Sequence, residues 1–152
     1  MEVKRILSDD DLDSLVADIN SAQWDAANEI SLYDVDALHA YLNRQDTVFM
    51  ACYDNAGGTS ILMGIASSRI EIKPYDHELW LYVDEVDVCA DHRQKGAGKL
   101  IMKTLIQFAE DNNCEELWLG TEVDNAPANA LYRSLAPDDV ADVVGYTYET
   151  DA

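Results

Sequence analysis

The segment Arg93-Gln94-Lys95-Gly96-Ala97-Gly98-Lys99 combines glycines with basic side chains, between an apolar strand pattern and an amphipathic helix pattern. Glycine reaches backbone angles that are closed to other residues, so Gly96 and Gly98 allow the chain to approach a ligand closely. The first N–H groups of the following helix and its dipole favour an anion. The segment therefore predicts a phosphate site, although a strand-to-helix turn that needs glycine only for its geometry has the same two residues.

Three carboxylates, Asp84, Glu85 and Asp87, interrupt the apolar strand predicted over residues 79–88. A carboxylate is costly to bury without a partner, so some of these side chains are expected to face a wet pocket for a cationic substrate. Alternation along a strand places Glu85 and Asp87 on the face opposite Asp84, unless a bulge changes the phase. Burial of Glu85 beside the other carboxylates would raise its pKa, which suits a general base that acts near neutral pH.

Three segments together resemble motifs of the GNAT superfamily of N-acetyltransferases. The loop over residues 93–98 matches Arg/Gln-x-x-Gly-x-Gly/Ala, and Val86-Asp87-Val88 matches the apolar-x-Val pair before it. The Asn…Ala-x-x-Leu-Tyr pattern of a later helix is matched by Asn125, Ala128, Leu131 and Tyr132. Residues 60–135 look most like the aminoglycoside 3-N-acetyltransferases. The chain departs from the family at Leu135-Ala136-Pro137, where members usually have a Gly-Phe-like step.

The resemblance implies a fold and a cofactor. The fold is a mixed α/β one, with a mostly antiparallel sheet that opens between its fourth and fifth strands, and acetyl-coenzyme A lies in the opening. The central strand then pairs with the pantetheine amides, and the glycine loop binds the pyrophosphate. The implied cofactor-binding residues are Val86, Val88, Arg93, Gln94, Lys95, Gly96, Ala97, Gly98, Lys99 and Asn125.

The resemblance also implies catalytic roles. Tyr132 occupies the position from which GNAT tyrosines protonate the leaving thiolate, and a tyrosine that packs its helix onto the sheet is the alternative. Glu85 aligns with the acidic residue of the 3-N-acetyltransferases, so it is expected to be the base or the amine anchor. Further candidates for binding the charge of the substrate are Asp84, Asp87, Glu122 and Asp124.

The region between the first two predicted helices lines the acceptor pocket in this family. Its substrate candidates are Asp25 and Glu29, together with Trp24 and Tyr33. Packing against the core is the alternative role for the two aromatic residues.

Composition limits the partners. The 152 residues include 30 acidic and 10 basic side chains, a net charge of −20 that disfavours nucleic acid and anionic membranes. The charge either draws in a polycation such as an aminoglycoside or polyamine, or solvates the protein in a saline cytoplasm. The three cysteines show no CxxC spacing, so neither a disulfide framework nor a metal site is expected. Without an apolar run of ~20 residues, a cytoplasmic protein is predicted.

Periodicity and turn residues predict one domain over residues 1–152, with the element order β-α-α-β-β-β-α-β-α-β. Ser8 and Asp124 are the predicted N-caps of the first and last helices. The predicted strands cover residues 3–7, 47–53, 60–72, 79–88, 115–122 and 143–149, and the helices cover about residues 9–19, 34–44, 99–109 and 124–135.

These features predict an acetyl-coenzyme A-dependent N-acetyltransferase that acts on an aminoglycoside, with the 3-amino group as the expected position. A polyamine, a small amine or a protein amine is the alternative acceptor within the same fold. A non-catalytic acidic binding module with this fold is the alternative of another class. Family members are often dimers, so a homodimer is also considered.

Overall fold

The computed structural model describes residues 1–24 and 30–152. The chain divides into two units, Met1–Leu119 and Gly120–Ala152. The helices and strands of the first unit are β1 (Glu2–Ile6), α1 (Leu12–Ser21), α2 (Val35–Leu42), β2 (Thr47–Asp54), β3 (Ile61–Ile72), β4 (Leu79–Val88), α3 (Ala97–Asp111) and β5 (Cys114–Trp118). Short 3-10 helices lie at Ala56–Gly58 and Ala90–His92.

The five strands form one sheet in the order β1-β2-β3-β4-β5. The first four strands pair antiparallel, and β5 runs parallel to β4. Only residues 79–82 of β4 pair with β5, so within the described residues 83–88 have a strand neighbour on the β3 side alone. The predicted mixed sheet that opens between its fourth and fifth strands is therefore confirmed.

A β-bulge in β4 determines on which face of the sheet each later residue of this strand lies. Ser68 of β3 lies opposite Val83, whereas its neighbour Ser67 lies opposite Glu85, so Asp84 is the extra residue. Residues that lie opposite each other in a ladder share a face of the sheet. Glu85 therefore shares the face of Ser67, and two residues later Asp87 shares that of Ile65.

One face of the sheet packs against α1 and α2. Their buried side chains form a core with Phe49, Ala51 and Ile65 of the sheet; they are Leu12, Leu15, Val16, Ile19 and Leu38. Asp11 caps α1 by accepting the Ser14 N–H at 3.1 Å. The prediction of Ser8 as N-cap is wrong, because the preceding turn continues through residue 10 before the helix begins.

The opposite face packs against α3, which buries Ile101, Met102 and Leu105. Gly64 allows the close approach of β3, β4 and α3. A Cβ atom on Gly64 would lie 2.8 Å from the Asp87 carbonyl oxygen and 3.0 Å from Ile101 Cδ1. Since real Cβ contacts are longer than this, a larger residue would push the helix or the strand away.

The second unit, all of which is described, contains the helix α4 (Ala126–Arg133) and no strand. Asn125, rather than the predicted Asp124, is the N-cap and accepts the Ala128 N–H at 3.2 Å. The prediction of a strand over residues 143–149 is wrong. Their sequence has strand character, but a strand also needs a ladder partner, and none is assigned to them in this chain.

Candidate active site

The glycine loop connects the end of β4 to the start of α3. The Cys89 N–H donates to the Met63 carbonyl at 2.9 Å, which holds the chain on β3 just after β4 ends. Gln94 and Gly96 then adopt left-handed backbone angles, with φ of 59° and 87°. This conformation favours glycine, so Gly96 has the backbone conformation predicted for it, whereas Gln94 adopts it with a side chain.

The first turn of α3 is suited to an anion. Its N-cap is Gly96, which has no side chain to accept the first N–H groups, and the first turn contains no acidic residue. Ala97 and Gly98 are buried beneath it, while Lys95 and Lys99 are exposed beside it. Free N–H groups, the helix dipole and two cations are the donor set that a diphosphate requires, so the predicted loop residues fit a diphosphate-bearing cofactor.

The open edge of β4 runs directly into this loop. Val86 and Val88 lie beyond the last residue that pairs with β5 and are half-buried on the α3 side, opposite Ala66 and Gly64. The structure thus brings the predicted cofactor residues of the first unit together along one strand end, one loop and one helix start. The remaining one, Asn125, lies in the second unit, where its side chain caps α4.

Asp87 is the buried carboxylate of β4. Its side chain faces α1 and α2, the residue is 7% exposed, and Oδ2 has no hydrogen-bond partner among the described residues. Burial, with a smaller contribution from the charge of Glu85, raises the pKa of Asp87 to about 6. The sequence assigned the buried position to Glu85, which is exposed. This is a correction: Asp87 lies opposite Ile65, which belongs to the core formed with α1 and α2, whereas Glu85 lies opposite Ser67, which lines the cleft described below.

Asp84 has a partner within the protein. The bulge turns its carboxylate toward Arg69, which binds both Asp84 and Glu71, the latter at 2.7 Å between Nε and Oε1. The Arg69 guanidinium also lies 5.2 Å above the centre of the Tyr82 ring. Asp84 therefore shares the positive charge of Arg69 with Glu71, whereas Glu85 and Asp87 have no ion-pair partner among the described residues.

Tyr33 lies on the same face as this pair. Burial first, and then the charges of Glu85 and Asp87, raise the pKa of Tyr33 to about 12. Asn20 holds the Tyr33 backbone, since its Oδ1 accepts the Tyr33 N–H at 2.8 Å and its Nδ2 donates to the Tyr33 carbonyl at 3.0 Å. The pairing of Asn20 with Tyr33 has no signal in the sequence, because the two residues are separated by thirteen positions.

A cleft of about 290 Å³ adjoins Tyr33. It reaches Ser67, which lies opposite Glu85 in the sheet. Its lining residues are Ser31, Leu32, Tyr33, Asp34, Ala37, Leu38, Tyr41, Phe49 and Ser67. Tyr33 packs edge-on against Phe49, with ring centres 6.1 Å apart, and it also lines the cleft. The contact supports its packing role, and its role as a substrate contact stays a prediction.

Trp24 connects the segment after α1 to the end of β4. Its Nε1 donates to the Ile19 carbonyl at 2.9 Å, and its backbone forms an isolated bridge with Cys89. The neighbouring Ala90 N–H donates to the Gln23 carbonyl at 2.7 Å. These contacts support the packing role of Trp24. The other two candidates of this region, Asp25 and Glu29, lie outside the described residues.

A larger groove, of about 580 Å³, lies between β1 and α1 and includes Lys4, Arg5 and Asp18. It contains neither the glycine loop nor the carboxylates of β4. Its size alone does not make it the reaction site, because the loop predicted to bind phosphate and the carboxylates predicted to move protons lie elsewhere.

The candidates of the second unit lie in and just before α4. Tyr132 is half-buried in the last turn of the helix, and Glu122 and Asp124 are exposed in the segment that precedes it. Asn129 Nδ2 donates to the Glu122 carbonyl at 3.1 Å and to the Asn125 carbonyl at 2.8 Å, which fixes this segment on the helix.

Residues 13–136 match the Acetyltransferase (GNAT) family. The chain belongs to this family. The GNAT fold agrees with the open sheet and with the glycine loop that starts α3, and acetyl-coenzyme A is the cofactor that GNAT acetyltransferases generally use.

Among curated proteins, this GNAT chain is 34% identical to the streptothricin acetyltransferase of Streptomyces lavendulae over 36% of the chain and 29% of that protein. It is 27% identical to human N-acetyltransferase 8 over 66% of the chain and 42% of that protein. The chain thus matches less than half the length of either relative.

Solved structures share the GNAT fold over the whole chain. An aminoglycoside acetyltransferase from an uncultured soil metagenomic sample, in complex with sisomicin, superposes with a TM-score of 0.79 and 18% identity, over 99% of this chain and 96% of that one. The ribosomal-protein-alanine N-acetyltransferase of Brucella melitensis has a TM-score of 0.72 and 19% identity, over 99% of this chain and 100% of that one. At this identity the likeness establishes the fold alone. In the described part of the GNAT chain, none of the helices has the length and apolarity to span a bilayer.

Proposed function

We propose that residues 1–152 form a single acetyltransferase domain that acetylates an amine of a polycationic small molecule, with aminoglycosides as the substrate class and the 3-amino group as the position. The observation that carries the proposal is the buried carboxylate of Asp87. Its Oδ2 lacks a hydrogen-bond partner among the described residues, and the residue lies beside the exposed Glu85 where β4 has left β5. A buried carboxylate with a raised pKa is a common property of a catalytic base.

In this proposal acetyl-coenzyme A supplies the activated acetyl group. The backbone of residues 94–99 holds its diphosphate, and the open edge of β4 at Val86 and Val88 aligns its amide-containing arm. A backbone N–H near Val88 would stabilise the negative charge that develops on the thioester oxygen.

Glu85 and Asp87 have different proposed roles toward the amine of the acceptor. Glu85 is exposed and attracts the ammonium group from solvent. Asp87, with its pKa of about 6, accepts a proton from the amine and so leaves a neutral nucleophile. Tyr132 remains the proposed acid that protonates the leaving thiolate. Glu122 and Asp124 are proposed to contact further ammonium groups of the substrate.

The acceptor class rests on charge. A molecule with a net charge of −20 concentrates cations near its surface, and it does so more strongly for a polycation than for a single amine. The fold is also found in an aminoglycoside acetyltransferase bound to sisomicin and in a ribosomal-protein-alanine N-acetyltransferase, which are examples of the two acceptor classes. A protein amine is therefore the second candidate.

Release of coenzyme A thiol tests the proposal with gentamicin, kanamycin, spermidine and a peptide amine as acceptors. We expect turnover with the aminoglycosides, and mass spectrometry of the product locates the acetyl group. Turnover with the peptide alone would show that the acceptor is a protein amine rather than an aminoglycoside. Binding of acetyl-coenzyme A without turnover of any acceptor would support the non-catalytic module.

Matched variants test the site itself. Asp87→Asn removes the proposed base, whereas Glu116→Gln removes an exposed carboxylate of β5 that has no proposed role. We expect the first to lower kcat by about 100-fold or more and the second to leave it unchanged. Equal activity of the two variants would remove Asp87 from the mechanism.

A further inference from the structure

The first half of β4 carries a row of aromatic side chains outside the core. The rings of Trp80 and Tyr82 stack with centres 5.9 Å apart and planes at 25° to each other. Trp118 of β5 lies opposite Tyr82 and continues the row, with ring centres 6.1 Å apart. Trp118 is 41% exposed and the other two are half-buried. These three residues form an aromatic platform, a surface suited to a ligand because each ring combines an apolar face with a polar edge.

The aromatic platform lies on the same face of the sheet as Glu85. In the ladder between β3 and β4, Ser67 lies opposite Glu85 and Arg69 lies opposite Tyr82. Residues two apart along β3 point to the same side, and opposite residues share that side, so Tyr82 and Glu85 face the same way despite the bulge between them. The two residues are about 7 Å apart along the strand direction. A ligand with one group at Glu85 can therefore reach the aromatic platform with the next.

The aromatic platform already holds an ammonium group of the protein. Lys73 Nζ lies 4.0 Å from the centre of the Trp80 ring and 4.9 Å from that of Tyr82, and it donates to the Tyr82 hydroxyl at 2.5 Å. Within the part of the chain that the structure describes, Lys73 forms no ion pair. The negative faces of two rings and one hydroxyl therefore hold this cation, and the same groups suit an ammonium group of a ligand.

The Lys73 side chain can leave the aromatic platform without any change in the strand. The Lys73 backbone is fixed in the turn between β3 and β4, where its N–H donates to the Glu78 carbonyl at 2.7 Å and its carbonyl accepts the His77 N–H at 3.2 Å. Only the flexible four-carbon side chain needs to move, and its ammonium group is fully hydrated once it reaches solvent. A ligand that offers the rings another cation can therefore replace it.

Carboxylates border the aromatic platform. Glu78 accepts the Trp80 Nε1–H at 3.0 Å, and Glu71 lies opposite Trp80 in the sheet. Asp84 follows Tyr82 by two residues and is exposed. An amino sugar matches this arrangement, because the C–H groups of its ring pack on aromatic faces while its ammonium groups reach the carboxylates around them. A peptide amine offers one ammonium group and no such ring.

We propose that the aromatic platform binds an ammonium-bearing ring of the acceptor other than the ring that is acetylated, and that Lys73 is the internal cation that this ring displaces. The inference rests on the proposed function, because it concerns a second contact of the same acceptor. The acetylated ring lies at Glu85 and Asp87, and the second ring lies on the aromatic platform. An acceptor with one ring leaves Lys73 in place, whereas an acceptor with several rings removes it.

Two variants of equal charge test the role of Lys73. Titration calorimetry with coenzyme A present measures the Kd of kanamycin, which has three rings, and of 2-deoxystreptamine, the single ring that carries the 3-amino group. Lys73→Ala removes the competing cation and should tighten kanamycin binding about fivefold, with 2-deoxystreptamine unchanged. Lys103→Ala removes the same charge from an exposed position of α3 and should have a much smaller effect. Equal effects of the two variants on kanamycin would overturn the inference.

Trp118→Ala tests the aromatic platform without a change in charge. We expect it to weaken kanamycin binding about fivefold and to leave 2-deoxystreptamine unchanged. Because Trp118 is exposed, the variant should fold, and circular dichroism checks that it does. An unchanged affinity for kanamycin would overturn the inference. An equal loss for both ligands would do the same, since the single ring does not reach the aromatic platform.

These outcomes are separate from a failure of the proposed function, because binding is measured without an acetyl donor. Turnover of kanamycin by the wild type, with no change of Kd in Lys73→Ala or Trp118→Ala, would keep the proposed function and remove the aromatic platform from it. The expected changes of Kd without turnover of any aminoglycoside would keep the aromatic platform as a polycation site and remove the proposed function. Absence of kanamycin binding to the wild type would overturn the inference.

Discussion

At the scale of single residues, Asp87 is expected to set the pH dependence of the reaction. Its pKa is raised to about 6, and only the ionised form accepts a proton, so kcat/KM should fall as the pH drops through about 6. Glu85→Gln removes a charge that raises this pKa and should move the acidic limb to lower pH. The measurement is the pH profile of kcat/KM for both proteins. An unshifted limb in the Glu85 variant would contradict the coupling.

The same residue is expected to cost stability. A carboxylate whose pKa is higher in the folded than in the unfolded protein opposes folding above the folded pKa, and the cost disappears as the pH falls below the unfolded value. A change from 3.8 to about 6 corresponds to about 3 kcal/mol at pH 8. Asp87→Asn should therefore gain stability relative to the wild type as the pH rises from about 5 to about 8. Urea denaturation at both pH values measures the gain, and a constant difference would contradict it.

Adding a single methyl group at Gly64 should lower the stability of the fold. In Gly64→Ala the new Cβ would meet the Asp87 carbonyl oxygen at 2.8 Å, and backbone atoms cannot move aside as a flexible side chain can. We expect a loss of about 1–3 kcal/mol in the free energy of unfolding. Gly145→Ala is the control, since nothing lies within 4 Å of its Cβ. Equal melting temperatures for the two variants would show that the strands and α3 relax around residue 64.

At the scale of elements, the glycine loop allows a paired test of backbone conformation. Gly96→Ala has room for its Cβ, 3.7 Å from Met1 Cε, but it must keep a φ of 87°. The strain should widen the loop and weaken acetyl-coenzyme A binding by about tenfold, from a conformational cost of about 1–2 kcal/mol. Gln94→Gly relaxes a φ of 59° and should keep the affinity. Titration calorimetry measures both, and equal affinities for the two variants would remove the backbone requirement.

The helices and strands that carry a local signal were predicted well. The predicted β4 is identical to the observed strand, and the apolar spacing of Leu12, Leu15, Val16 and Ile19 identified the buried side of α1. Caps were less certain, because several acidic or hydroxyl residues precede α1 and α4 and the sequence does not say which one ends the turn. The strand over residues 143–149 was predicted wrongly, since composition describes a strand but not its partner.

Within the site, the sequence identified the set of carboxylates but not their arrangement. Asp84, Glu85 and Asp87 are close in sequence, yet one is paired with Arg69, one is exposed and one is buried. The bulge and the packing of α1 and α2 decide among them, and both are tertiary properties. The glycine loop was easier to recognise, because its proposed function depends on backbone angles that the residue types largely dictate.

At the scale of the whole molecule, the charge of −20 should act on the two substrates with opposite sign. Added salt weakens the attraction of a polycationic acceptor and also weakens the repulsion of the anionic cofactor. We expect the KM of the acceptor to rise and that of acetyl-coenzyme A to fall as salt increases, at constant pH. Parallel changes in the two KM values would show that the charge serves solvation rather than substrate capture.

The reactivity of the cysteine thiols can be used to measure how often the sheet of this protein opens. Cys52 and Cys89 are buried, and Cys114 is half-exposed at the start of β5. Burial raises the pKa of all three thiols, that of Cys89 to about 11. A reagent that reacts with thiolates should label Cys114 first. It should label Cys52 and Cys89 only when the sheet separates. In Cys114→Ser, the rate of labelling would therefore time global unfolding under native conditions. The same variant would leave released coenzyme A as the one fast-reacting thiol in an activity assay, so catalysis and unfolding could be followed in a single cuvette.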